Sequence, residues 1–190
     1  MKRIVILASG DGSLAQAIID AISTGQLSAK IVAVISDKPQ SRVLLRAEQA
    51  NISTYVLPMK TDRQEWNQEI LNVVTQLDPD LIVSAGFMRI LSAEFVARFR
   101  TINTHPALLP LFPGAHAVRD TLAAGESTTG ATVHWVDEGL DSGEVISQVQ
   151  VPVLADDDEN SLHERIKIAE RSLVVSTIKD LLPTLEKKDG

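Results

Sequence analysis

The sequence contains no cysteine, so it has neither a disulfide framework nor a thiolate zinc site. None of its apolar runs approaches the roughly 18 residues that a membrane span requires. The stretch after Met1-Lys2-Arg3, Ile4-Val5-Ile6-Leu7, is too short for a signal peptide and glycines follow it. A cytoplasmic protein without membrane partners is the expectation. Basic residues are also in deficit: 18 Lys and Arg stand against 25 Asp and Glu, a net charge of −7. Nucleic acid calls for a basic face, so a nucleic-acid partner is not expected. An anionic metabolite would have to be held by local groups such as helix N-termini and single arginines, not by a global field. No two histidines have metal-ligand spacing, and no metal is expected.

What is present is ordinary globular composition. With 190 residues and 44% hydrophobic content, one domain spanning 1–190 is expected. Apolar runs at 3–8, 31–36, 53–57, 81–83 and 100–104 read as strands. Helical stripes lie between them, at 14–22, 41–50, 62–77 and 92–98. Strands alternating with helices at this spacing predict an α/β, Rossmann-like three-layer fold with a mostly parallel sheet. A helix over 116–124 follows. Strands at 132–136 and 145–151 are then joined by a link, 137–143, too short for a parallel crossover, so this part is antiparallel. About seven strands result. The pattern Ser161-Leu162-His163-Glu164 predicts a capping box opening the last helix. Residues 187–190 are expected to fray.

The chemistry is expected where Asn103-Thr104-His105-Pro106 runs on to Phe112-Pro113-Gly114. Three prolines and a glycine in this stretch forbid a helix or an inner strand and make a rigid loop leaving a strand end. Asn103 and His105 are two apart, so an extended chain points both to one side. Asp141 in the 137–143 link is good turn chemistry, but a carboxylate beside an imidazole also orients the ring. Spacing alone does not say whether the two meet. His134 alternates with core residues and reads as a buried histidine; His116 and His163, at helix starts, read as ordinary. Gly10-Asp11-Gly12-Ser13, between a strand and a helix, is a phosphate-binding arrangement. Gly10 through Ala15 also satisfies the relaxed dinucleotide fingerprint, with Asp37 where a ribose-binding acid belongs. A nicotinamide-dependent oxidoreductase and a non-catalytic phosphometabolite-binding module are therefore open readings. Residues 87–91, leaving the fourth strand, offer an apolar surface with one cation, Arg89.

Together these residues resemble the folate-dependent formyltransferase family, and in particular its phosphoribosylglycinamide formyltransferases. The likeness rests on the glycine-serine loop, Ala85-Gly86-Phe87-Met88-Arg89-Ile90-Leu91, the proline loop, Thr132-Val133-His134 and Leu140-Asp141-Ser142-Gly143. It implies transfer of a formyl group from 10-formyltetrahydrofolate, as co-substrate, to the amine of phosphoribosylglycinamide in purine biosynthesis. It implies Asn103, His105 and Asp141 as catalytic residues. The substrate phosphate would lie on Gly10, Asp11, Gly12, Ser13 and Leu14, with Glu170 and Pro106 near the ribose or amine. Folate would sit against Arg63, Met88, Arg89, Ile90, Leu91, Asn103, Val136, Glu138, Gly139, Leu140 and Asp141. Many members carry asparagine where this chain has Leu14, which leaves only backbone amides there. The C-terminus is expected to lack a peripheral tail of several members and the extra domain of the transfer-RNA formyltransferases. Hydrolysis of formyltetrahydrofolate is a neighbouring reading. The partners are small molecules, and the chain is expected to be a monomer or homodimer.

Overall fold

A computed structural model describes residues 1–186, and the expected frayed tail at 187–190 lies outside the described residues. Along the chain the elements are β1 (Lys2–Leu7), α1 (Ser13–Ser23), β2 (Ala29–Ser36), α2 (Arg42–Gln49), β3 (Thr54–Val56), α3 (Arg63–Leu77) and β4 (Leu81–Ser84). There follow α4 (Ala93–Arg98), β5 (Thr101–His105), α5 (Ala117–Ala123), β6 (Thr128–Trp135), β7 (Val145–Pro152) and α6 (Glu159–Leu181). One sheet runs β3-β2-β1-β4-β5-β6-β7. Its first five strands are parallel, β6 is antiparallel to β5, and β7 is antiparallel to β6.

The inner strands are apolar throughout because both faces are covered. Ile4, Ile6 and Val83 turn to one core with Leu14 and Ile18 of α1, Val43 of α2 and Ile166 of α6. Val5, Leu7 and Ile82 turn to the other, with Trp66 and Ile70 of α3 and Phe95 of α4. The expected boundaries hold within a few residues, and the differences have local causes. Asp62 and Ser92, expected inside their helices, are N-caps whose side chains accept backbone amides. The last helix starts earlier than the Ser161–Glu164 pattern suggests. Asp158 Oδ1 accepts the Ser161 amide at 2.8 Å, and Ser161 Oγ accepts the Asp158 amide at 2.9 Å. The capping box is therefore Asp158 with Ser161, and the acidic run starts the helix while Asp157 binds Arg165 at 2.6 Å. β6 begins four residues before the expected Thr132, because its ladder with β7 extends to Thr128 opposite Pro152. Gly130 permits this, since a Cβ there would lie 2.0 Å from the Val149 carbonyl oxygen.

Connections leave β1 towards β2 on one side, while β4 and β5 lie on the other. The C-terminal edge between β1 and β4 is thus a topological switch point, where open α/β sheets bind ligands. The glycine loop, residues 86–91 and the proline loop all emerge on that edge.

Candidate active site

The glycine loop is set by close packing. Gly12 is the N-cap of α1 with φ +78, and a Cβ there would lie 2.5 Å from Val43 Cγ2; only glycine meets both conditions. Ser13 opens the helix, and its N-terminal amides carry the partial positive charge that suits an anion. Leu14 is buried in the core, so its side chain serves packing and leaves only its amide to a ligand. The Asp11 side chain also has protein partners. Its carboxylate pairs with Arg42 at 3.2 Å and Arg46 at 2.9 Å, and its carbonyl accepts from Arg46 Nε at 2.8 Å. That side chain braces the loop against α2.

The proline loop is fixed from the antiparallel strands. Thr132 Oγ1 donates to the Ala107 carbonyl at 2.6 Å and accepts the Leu109 amide at 3.0 Å. Gln148 Nε2 adds a bond to the Leu109 carbonyl at 2.9 Å. The Leu109–Pro110 peptide is cis. At the end of β5, Asn103 and His105 project to the same side, as their spacing predicts. Asp141 meets them there from the 137–143 link. Its Oδ2 lies 3.3 Å from His105 Nδ1, and its Oδ1 lies 3.5 Å from Asn103 Nδ2. The link is itself braced, since Asp137 Oδ1 accepts the Gly139 amide at 3.0 Å and the Ser142 hydroxyl at 2.8 Å.

His134 belongs to this cluster, and the reading of it as a plain core histidine misses that. It is buried, with Nδ1 donating to the Trp135 carbonyl at 2.9 Å. Its Nε2 therefore faces Asn103 Nδ2 at 3.3 Å and Asp141 Oδ1 at 3.6 Å. His134 pairs with Asn103 across the β5–β6 ladder, a register that spacing along the chain does not give. The Asp141 carboxyl is held below its ordinary value, first by His134 and then by the Gly114 amide and His105, against the cost of burial. Burial pushes the His105 imidazole below its ordinary value, opposed by the Phe112 carbonyl, 2.8 Å from Nε2, and by Asp141.

A cavity of ≈ 340 Å³ opens over this cluster. Asn103, His105, Pro106 and Asp141 line it, with Met88, Arg89, Ile90 and Leu91 on one wall and Val136, Gly139 and Leu140 on another. His116, Glu159 and His163, which sequence reasoning left aside, also line it. The other expected residues stand outside its wall. Arg63 sits behind it, 4.7 Å over the Trp66 ring and donating to the Ile90 carbonyl. Glu138 is exposed on the link. Glu170 is buried on α6, and burial pushes its carboxyl up to about 7. The Gly10–Leu14 loop adjoins the cavity through Ser9, whose Oγ accepts the Met88 amide at 2.9 Å. Asp37, where a nicotinamide ribose would need an acid, is instead buried against Arg89 at 2.7 Å. Among the described residues no group of His, Cys, Asp or Glu side chains is arranged to hold a metal ion, and no helix is long and apolar enough to cross a membrane.

The pattern that defines the formyl transferase family matches residues 2–178. A phosphoribosylglycinamide formyltransferase of Mycobacterium tuberculosis (strain CDC 1551 / Oshkosh) is 48% identical over 180 residues, 93% of this chain and 83% of its own. The Escherichia coli (strain K12) protein of the same name is 41% identical over 185 residues, covering 94% and 87%. The crystal structure of phosphoribosylglycinamide formyltransferase from Brucella melitensis superposes with a TM-score of 0.89 at 40% identity, over 94% of each chain. The chain belongs to the formyl transferase family, among its phosphoribosylglycinamide formyltransferases.

Proposed function

We propose that this enzyme transfers the formyl group of 10-formyltetrahydrofolate to the amine of phosphoribosylglycinamide, a step in building the purine ring, with residues 1–190 acting as one formyltransferase domain. The observation that carries the reading is the meeting of His105 and Asn103 on the Asp141 carboxylate, at 3.3 and 3.5 Å, beside a cavity. The cavity wall of Met88–Leu91, Val136, Gly139 and Leu140 would take the folate, with Arg63 and Glu138 on its outer side. Gly12 and Ser13 would hold the phosphate on the α1 N-terminus, and Pro106 and Glu170 would lie towards the amine and ribose. All these groups come from one chain, so a monomer or a homodimer can house the site.

In the reaction the amine attacks the formyl carbon, a C–N bond forms, and the carbonyl electron pair moves to oxygen. Asn103 Nδ2 is suited to receive that oxyanion, since its contacts at 3.3 and 3.5 Å are long and easily exchanged. Both ring nitrogens of His105 face acceptors, Phe112 at 2.8 Å and Asp141 at 3.3 Å. A neutral ring would turn a lone pair on one of them, so the two acceptors stabilise the imidazolium against a burial that outweighs them and keeps the group below its ordinary value. Asp141, kept ionised, stabilises that imidazolium and accepts the proton lost by the attacking amine, directly or through water. The proton passes to the folate nitrogen as its bond to the formyl carbon breaks.

The test is to mix the protein with 10-formyltetrahydrofolate and phosphoribosylglycinamide and follow the deformylated folate. Turnover that requires both substrates is expected. Formate release without the amine would mark a hydrolase instead, and saturable binding of reduced nicotinamide without formyl transfer would overturn the reading.

A further inference from the structure

Asp37 follows the last residue of β2, and its side chain has no exposed surface. One carboxylate oxygen accepts from Arg89 Nε at 2.7 Å; the other is buried without a hydrogen-bond partner among the described residues. A buried carboxylate so poorly satisfied needs its cation, so Arg89 is firmly held. Arg89 lies beyond β4, and β1 stands between β4 and β2. The ion pair therefore spans the switch point, over the strand end that carries the glycine loop.

The segment thus tied is the 86–91 wall of the cavity. Phe87 and Leu91 anchor it in the core, but Met88 and Ile90 are 64% and 65% exposed and give it no packing. Between the two anchors it is held by polar tethers: Ser9 on the Met88 amide, Arg63 on the Ile90 carbonyl, and Asp37 on the Arg89 side chain. Asp37 grips the guanidinium through Nε alone, so the two Nη groups carry no hydrogen bond among the described residues while Arg89 lines the cavity. A guanidinium pinned on one edge offers the other in a fixed direction to an acceptor oxygen.

We propose that Asp37 is a positioning residue for the folate half of the cavity, acting by fixing Arg89 and the wall it belongs to. The inference rests on the formyl-transfer reading above. It does not place Asp37 on any substrate atom, and the phosphoribosylglycinamide half should not sense it.

Steady-state kinetics on the full chain test this with Asp37→Asn, Arg89→Met and the double variant, which removes both charges of the pair and so leaves no buried carboxylate without its cation. Asp37→Asn should raise KM for 10-formyltetrahydrofolate about tenfold, with kcat and KM for phosphoribosylglycinamide within twofold of wild type. The double variant should be no worse than Arg89→Met alone, because Asp37 acts through Arg89. Unchanged folate KM in folded Asp37→Asn overturns the proposal, as does an additive double variant or an equal rise in both KM values. Wild-type protein without formyl transfer would overturn the parent reading, and this proposal with it; an active wild type with an unaffected Asp37→Asn would overturn the proposal alone.

Discussion

Gly114 donates its backbone amide to Asp141 Oδ2 at 2.8 Å. The same oxygen faces His105 Nδ1 at 3.3 Å. One carboxylate thus ties the end of the proline loop to the 137–143 link and addresses the imidazole. Asp141 is held in left-handed backbone at φ +52, a conformation that non-glycine residues adopt at some cost and that clusters at functional sites.

Asp141→Asn keeps the shape and leaves an oxygen for the Gly114 amide, but removes the charge. Loss of a general acid–base group costs about 10²–10⁴-fold. We expect kcat to fall in that range while the thermal melt moves by only a few degrees. Near wild-type turnover in the folded variant would remove Asp141 from the mechanism.

Asn103→Ala addresses the oxyanion. A donor that matters only when negative charge develops should lower kcat by about 10²–10³-fold, with KM for either substrate moving far less. A variant whose KM rises while kcat holds would show Asn103 to be a binding group and not an oxyanion donor.

The sheet was readable in the sequence because the inner strands bury both faces, and continuous apolar runs such as Ile4–Leu7 and Leu81–Val83 stand out. The start of β6 was not, since Thr128-Thr129-Gly130-Ala131 has no alternation and becomes a strand only by pairing with β7. Spacing placed Asn103 and His105 on one side. It could not bring Asp141 to them, because that contact needs the antiparallel return of β6. His134 and Asp37 show the same limit. Each looked like a solitary residue with a familiar local role, and each acquires its partner only across the sheet, from Asn103 and Arg89.

Glu170 gives a pH prediction that needs no substrate. Burial pushes its carboxyl up to about 7, against about 4.3 in an unfolded chain. Between those values the folded protein binds a proton that the unfolded chain has released. Stability therefore falls as pH rises through this window, by about 1.4 kcal/mol per unit, or about 3–4 kcal/mol once pH passes 7. Glu170→Gln carries no such charge, so the variant should gain on wild type between pH 5 and pH 8 in denaturant unfolding. Parallel stability curves for the two proteins would mean that Glu170 is ionised at neutral pH despite its burial.

Thr132→Val tests what aims the proline loop. Thr132 is fully buried, and valine keeps its shape while deleting the hydroxyl. The Ala107 carbonyl and the Leu109 amide, bonded to it at 2.6 and 3.0 Å, would then lose that partner in the interior. Each buried group left unpaired costs about 1–3 kcal/mol. A loss of about 3 kcal/mol is expected, which lowers the melting temperature by roughly 6–12 °C in a chain of this size. The loop begins at His105, so kcat should fall as well, while Thr132→Ser, which restores the hydroxyl, should recover most of both. If Thr132→Val loses stability but turns over normally, His105 is aimed by β5 alone, and the Thr132 bonds serve only the fold.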